Sequence, residues 1–470
     1  MNIIEFNEKK LRTNFEITDA STAFVNCLRR ICSSKCPTVT FDDTYHNDTS
    51  LNSIKITKNT SSLHNEFVSH RLSLIPINMA SDDSLKISTN YNYTTNSREW
   101  KFLDTNTVPT FTIDITNNND QIHRRNTDTL LDVTTNDFIA RLGDTELDIS
   151  KYFKPDPYTN EFILINKLKC NLINDTEAEQ LKIECTPTIG IGKTRNDPTG
   201  TVSYYFKCNE TEVESNFSLK IKHLQEERIN KNLTEYTEQD ISKLRSSYDL
   251  LDKDRVYIKN ESGKANHFVF SIESIGFMDS SQIIVDSIHS LMLTLKDIRS
   301  NFTLDIDDVH GIKVSDNISI NRILDHNELY VIKIENENHT IGNILKYYIV
   351  ENYVSSDIDD TDKPFKIAGY VMPHPTIENI EFKFVLKDTI TPEYIIDFLQ
   401  KTIGNSINKS IKEINLNKMF ISIVFIKNIN YVLGLFETFL KEFTEKSDIK
   451  NPLFVIQDTD KHLSKNSNYV

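Results

Sequence analysis

The chain has 470 residues, which allows roughly two to four domains and a substantial core. Its 38% apolar and 10% aromatic content excludes a wholly disordered chain, and a net charge of −15 argues against a nucleic-acid-gripping protein, which needs a basic face. Protein partners are the expectation that remains, with little direct DNA contact.

Residues 3–18 alternate weakly and predict a strand pair. Asp19 is a candidate cap for the following helix, where Phe24, Leu28 and Ile31 recur at steps of four and three on one face, and Pro37 ends it. Residues 38–265 read as strand-rich, with alternating runs at 53–57, 111–115 and 202–206; the polar stretch 209–262 reads as surface helix and loop. Residues 267–275 alternate as a half-buried strand. A helix capped by Ser280 or Ser281 then carries Ile284, Ile288, Leu291, Leu295 and Ile298 at the spacing of a helix–helix seam. Burying such side chains is worth roughly 1.5–3 kcal/mol each, so this stripe needs a partner.

Residues 299–327 are polar and turn-rich and read as a linker. A second unit begins at 328, with a strand at 329–334 and a helix capped by Thr340 that carries Ile341, Ile344, Leu345 and Tyr348 on one face. Two short strands are predicted within 367–388. Thr391 and Pro392 open a helix bearing Ile395, Phe398, Leu399 and Ile403. The run 419–426 predicts an added strand, and Leu433, Phe436, Leu440 and Phe443 the face of a final helix. No window reads as a membrane span, and the first residues lack the basic start and apolar run of a signal peptide. The same plan thus occurs twice, a strand and helix followed by a strand and longer helix, which suggests a pseudo-two-fold pair sharing one core.

The motifs that tempt a catalytic reading are weak. Gly190-Ile191-Gly192-Lys193-Thr194 lacks the first glycine of a phosphate loop, because Pro187 stands there; a tight turn between insert strands is expected. His64, Glu66 and His70 fit no zinc spacing, and none of the six cysteines forms a Cys-x2-Cys pair, so no metal is expected and the thiols read as reduced and mostly buried. His339 and His374 have no accompanying nucleophile motif and read as hydrogen-bonding residues that order the backbone. No catalytic residue and no cofactor is expected.

The segments 24–31 (Phe-Val-Asn-Cys-Leu-Arg-Arg-Ile), 59–77 with its His70-Arg71-Leu72 core, 153–157 (Phe-Lys-Pro-Asp-Pro), 165–168, 190–193 and 267–276 occur in the order found in RNA polymerase alpha-like subunits. This half resembles the archaeal D subunit and the third subunit of eukaryotic RNA polymerase II. The segments 337–345 (Glu-Asn-His-Thr-Ile-Gly-Asn-Ile-Leu) and 368–375 (Ala-Gly-Tyr-Val-Met-Pro-His-Pro) resemble the archaeal L and eukaryotic eleventh subunits. The chain departs from the family at Ser73, where a glycine is usual, in having no cysteine at 78–169, and at Thr194-Arg195-Asn196.

The resemblance implies an α+β fold: a discontinuous alpha-like dimerisation domain (1–40 and 265–300), a β-rich insert (41–264), a linker (301–327), a smaller alpha-like dimerisation domain (328–414) and an extension (415–470) of open role. It implies a non-catalytic assembly subunit of a multisubunit DNA-dependent RNA polymerase, forming an intramolecular pseudo-dimer whose core holds Phe24, Leu28, Ile31, Ile284, Ile288, Leu291, Leu295, Ile344, Leu345, Tyr348, Ile395, Phe398 and Leu399. The implied partners are the two large catalytic subunits and small subunits resembling the tenth and twelfth of the eukaryotic enzyme. Arg29, Arg30, His70 and Arg71 are the candidate large-subunit contacts; solvated charge is the alternative for the two helix arginines. A fusion of this kind resembles the arrangement in large cytoplasmic DNA viruses. That implies an intracellular site, cytoplasmic (virus factory or virion) if viral and nuclear otherwise. A free-standing protein-binding module and a nucleotide-binding enzyme are the competing classes.

Overall fold

The computed structural model describes all residues except 10, 46–51, 79–86, 93–96, 118–129, 171–177, 193–196, 232, 235, 305–311, 315–317, 324–328, 356–362, 404–412, 450 and 457–470. The chain opens with β1 (Asn2–Lys9), β2 (Arg12–Thr18) and α1 (Thr22–Ser34). The insert follows: β3 (Thr38–Thr40), β4 (Ile54–Asn59), α2 (Asn65–Ser73), β5 (Ile87–Asn92), β6 (Ser97–Phe102), β7 (Thr110–Thr116), β8 (Leu130–Thr134), β9 (Ile139–Leu142), β10 (Thr145–Leu147), β11 (Leu164–Lys169), β12 (Gln180–Cys185) and β13 (Thr188–Gly190). Next come β14 (Thr199–Phe206), α3 (Glu210–Asn230), α4 (Glu238–Leu251), β15 (His267–Ser274) and α5 (Ser280–Ser300). The second half has β16 (Phe302–Leu304), β17 (Ile312–Val314), β18 (Ile318–Ile323), β19 (Leu329–Glu335), α6 (His339–Tyr353), β20 (Phe365–Val371), β21 (Asn379–Leu386), α7 (Pro392–Ile403), α8 (Glu413–Lys446) and β22 (Phe454–Ile456).

Two antiparallel four-stranded sheets have matching orders, β1-β2-β15-β14 and β18-β19-β21-β20. Each sheet is followed along the chain by equivalent helices: α1 and α6 after the second strand, α5 and α8 after the last. This equivalence corrects the second-half assignment. The counterpart of α5 is α8, and α7 is an added helix packed on α8. The run 419–426 is not a strand but the middle of α8. Its residues Met419, Phe420, Ile421, Ile423, Val424 and Phe425 are all buried. A helix covered on every side is apolar all round, and its one-face signal disappears. Among the described residues α8 is long and apolar enough to cross a bilayer, contrary to the reading of the sequence, but 72% of its most apolar stretch is buried inside the chain.

The insert boundary also moves. β14 pairs along its length with β15, from Phe206↔Phe268 to Thr199↔Ser274, and so belongs to the first sheet although the sequence reading put it within 41–264. The polar stretch after it forms α3 and α4. The stretch read as a linker holds β16, β17 and β18, and β18 is the edge strand of the second sheet. The insert proper has a five-stranded sheet, β10-β9-β7-β12-β4, and its own core around Phe41, Phe111, Ile113, Tyr152 and Ile183. Leu293 of α5 joins that core, while Ile284, Ile288, Leu291 and Leu295 face the other, so one helix serves both. β13 pairs with β3, Gly190 opposite Thr38; of the stretch expected to form a tight turn, Gly190 ends this strand, and Lys193 and Thr194 lie outside the described residues.

Three cap assignments change. Ser21, not Asp19, caps α1: its Oγ accepts from Phe24 N at 3.1 Å, while Asp19 sits at φ 54°, a left-handed conformation that short polar side chains tolerate. Asp279 occupies the cap of α5. Ser280 and Ser281 tie the first turn to the sheet instead, through Thr13 Oγ1 at 2.7 Å and Glu8 Oε1 at 2.7 Å. Asn338 caps α6, accepting from Thr340 N at 2.9 Å. That frees the Thr340 side chain for the contact described next.

Candidate functional site

The seam between the halves is built by α1 and α5 from one side and α6 and α8 from the other. α1 packs on α6, and α5 on α8. A single hydrophobic core runs through both halves. It contains Phe24, Leu28, Ile31, Ile284, Ile288, Leu291, Leu295, Ile344, Leu345, Tyr348, Ile395 and Leu399, with Phe398 half-buried against it. The last three sit differently from the sequence reading. Ile395, Phe398 and Leu399 lie on α7 and pack toward α8, which stands between them and the first half; the side chain of Ile403 lies outside the described residues.

Aromatic rings fill the centre of the seam. Phe24 lies 4.6 Å from Phe436 and 5.5 Å from Phe439, and Phe15 lies 5.5 Å from Phe443, ring centroid to centroid. Polar contacts set the register around them. Ser21 Oγ and Tyr348 OH are 2.9 Å apart, Arg30 Nε donates to Thr340 Oγ1 at 2.9 Å, and Arg299 Nη1 donates to Asn430 Oδ1 at 2.8 Å. Within the second half, α8 is fixed by Asn417 Nδ2 donating to Tyr330 OH at 2.9 Å and Asn428 Nδ2 to Leu345 O at 3.1 Å.

The signature around Gly342 has a steric reason. A Cβ there would lie 2.5 Å from Cε2 of Tyr370, so only glycine lets that ring rest on α6. Tyr370 OH and His339 Nδ1 are 3.1 Å apart, and His374 Nδ1 accepts from Thr376 N at 3.3 Å. Both histidines hold local structure, as read from the sequence.

The candidate partner contacts divide. Arg30 bonds into the sister half, so it belongs to the seam. Arg29 is half-buried and donates to Asn26 Oδ1 at 3.2 and 3.1 Å. On α2, His70 and Arg71 are exposed beside two outward apolar side chains, Phe67 (63% exposed) and Leu74 (43%). The spacing 67, 70, 71, 74 puts all four on one helix face. Arg71 Nη2 donates to Leu164 O at 2.8 Å, which steadies this face against the insert. His64 caps α2 and accepts from Glu66 N at 3.5 Å. Four cysteines, 27, 32, 36 and 185, are buried, and burial pushes their thiols up, Cys27 to about 12. Among the described residues no three His, Cys, Asp or Glu side chains cluster as metal ligands.

The sequence matches the RNA polymerase Rpb3/Rpb11 dimerisation domain over residues 14–295 and the domain of the same description again over 330–414. The chain belongs to the Rpb3/Rpb11 dimerisation-domain family. It carries that domain twice, in a fused D-like plus L-like arrangement. Subunit 3 of DNA-directed RNA polymerases II, IV and V of Arabidopsis thaliana is 24% identical over 323 residues, covering 63% of this chain and 90% of that protein. DNA-directed RNA polymerase subunit Rpo11 of Sulfurisphaera tokodaii is 30% identical over 94 residues, 20% of this chain and 90% of that protein. A conjugation stage-specific protein of Tetrahymena thermophila is 27% identical over 192 residues; the chain spans 53% of its length. In these Rpb3/Rpb11 terms, what the sequence reading missed is α8. Phe436 and Phe443 were visible as an apolar face, but their place at the seam could not be read from spacing alone.

Proposed function

We propose that the chain is a non-catalytic assembly subunit of a multisubunit DNA-dependent RNA polymerase, in which the two unlike partners of an alpha-like dimer are fused and paired in cis. The carrying observation is one continuous core through two Rpb3/Rpb11-type domains of a single chain. In this reading the tether keeps the domains at an effective concentration of about millimolar, so pairing needs no encounter between chains. The pre-formed pair then presents a composite surface to the two large catalytic subunits. The α2 face with Phe67, His70, Arg71 and Leu74 is the best-formed candidate contact, because it joins apolar area to a guanidinium, the combination enriched in interface centres. Small subunits resembling the tenth and twelfth of the eukaryotic enzyme would complete the assembly, which is intracellular: cytoplasmic in a viral setting, nuclear otherwise. The test is purification of the tagged chain from cells that make it. The expected result is both large subunits in one-to-one stoichiometry and their loss with a Phe67→Ala, Arg71→Ala, Leu74→Ala variant that still folds. Isolation of the chain alone would favour a free-standing binding module.

A further inference from the structure

The insert, α5 and the second half meet around a polar cleft of about 470 Å³. Trp100 and Tyr91 border it from the insert, Lys35 from the end of α1, and Glu337 and Glu378 from the second half. The other charges at its edge are matched. Arg98 grips Asp297 with Nε at 3.0 Å and Nη2 at 2.7 Å, and Lys333 holds Glu335 at 2.6 Å. Among the described residues that leaves two carboxylates, Glu337 and Glu378, to one ammonium.

Glu337 is the unusual member. Its side chain is almost wholly buried, with the residue 7% exposed, and Oε2 has no hydrogen-bond partner. Burial raises its pKa, the Lys35 charge and the Asn338 N–H pull it down, and Glu378 pushes it up again. Buried acceptors are normally satisfied, because leaving one without a donor forfeits its hydration for nothing. Glu337, with its carboxylate oxygen lacking a donor, lines a cleft that two aromatic rings also border, and a flat cation rich in N–H groups matches that combination.

We propose that this cleft receives an arginine side chain presented by a partner protein, its guanidinium donating to Glu337 and its face resting on Trp100 or Tyr91. A guanidinium fits better than an ammonium because it is planar, weakly hydrated and able to stack while it donates. The proposal goes beyond the polymerase reading and does not need it, since any partner could carry the arginine.

Trp100 is the only tryptophan in the chain, so its fluorescence reports on the cleft directly. The full chain is titrated with Nα-acetyl-arginine amide, with the lysine analogue and with the uncharged citrulline analogue. The expected result is a saturable change with the arginine compound, a weaker one with lysine and none with citrulline. Glu337→Gln is expected to weaken the arginine response at least tenfold. No response to arginine, an equal response to citrulline, or equal curves for the wild type and Glu337→Gln overturns the proposal. The citrulline comparison uses only the wild-type chain, so it decides even if the variant does not fold.

Discussion

The rings of Phe24 on α1 and Phe436 on α8 lie 4.6 Å apart, so two residues separated by most of the chain close the centre of one core. Both are fully buried. Phe436→Ala therefore removes a large side chain with little room for collapse, at a cost of about 3–5 kcal/mol. Leu345→Asp, which puts a charge without a partner into the same core, is expected to cost several kcal/mol. Chemical denaturation checks both. Because the halves share the core, each variant should lower the stability of the whole seam in one transition, not of the second half alone.

Gly342→Ala should destabilise by roughly 1–3 kcal/mol, the usual cost of overpacking, because the new methyl group meets the Tyr370 ring. Tyr370→Ala removes the obstacle. The double variant should then lose less than the sum of the two single losses. Additive losses in thermal denaturation would mean that the ring does not constrain this position.

Glu16 is buried between Lys207 and His267, whose Nε2 lies 2.7 Å from its Oε2. Burial alone would raise its pKa, but the hydrogen bonds and charges of Lys207 and His267 outweigh it and hold the carboxyl below the usual range. A lowered folded pKa contributes stability that is complete above the unfolded value, about 4.3, and is lost as the pH falls through the folded one. Glu16→Gln should lower stability at neutral pH and flatten the acid limb of a stability–pH curve.

Asp286 on α5 has the opposite sign. Its Oδ1 accepts from Leu453 N at 2.9 Å and from Gln282 Nε2 at 3.0 Å, at the point where the chain after α8 crosses α5 and leads into β22, which pairs with β5. Burial pushes its pKa up to about 7. Between the unfolded value near 4 and about 7 the folded state holds a proton that the unfolded state has lost, so stability falls as the pH rises through that window. Asp286→Asn should remove this slope and slow hydrogen exchange at Leu453 above pH 7. An unchanged slope would place the titrating group elsewhere.

Elements with a clear period were legible. Ile284, Ile288, Leu291 and Leu295 announce one side of the seam, and Ile344, Leu345 and Tyr348 part of the other, because each set lies on one helix face. Four features were hidden for physical reasons. The middle of α8, residues 419–426, is buried throughout, so its apolar run resembles a strand. The alternation in β14 shows that it is a strand but not which sheet it joins, and only the pairing with β15 assigns it to the first half. Consecutive arginines lie about 100° apart on a helix, so spacing shows that Arg29 and Arg30 diverge but not that Arg30 is the one that reaches Thr340. Glu337 stood inside a visible motif, yet its orphaned oxygen is a property of three-dimensional burial.

Cutting the connection between the halves tests the shared core most directly. A protease site introduced at 305–311 is cleaved in the purified chain, and the product is run on gel filtration at low concentration. Both fragments should co-elute at the position of the uncut 54.4 kDa chain. Two separate peaks would contradict a core built jointly by α1, α5, α6 and α8.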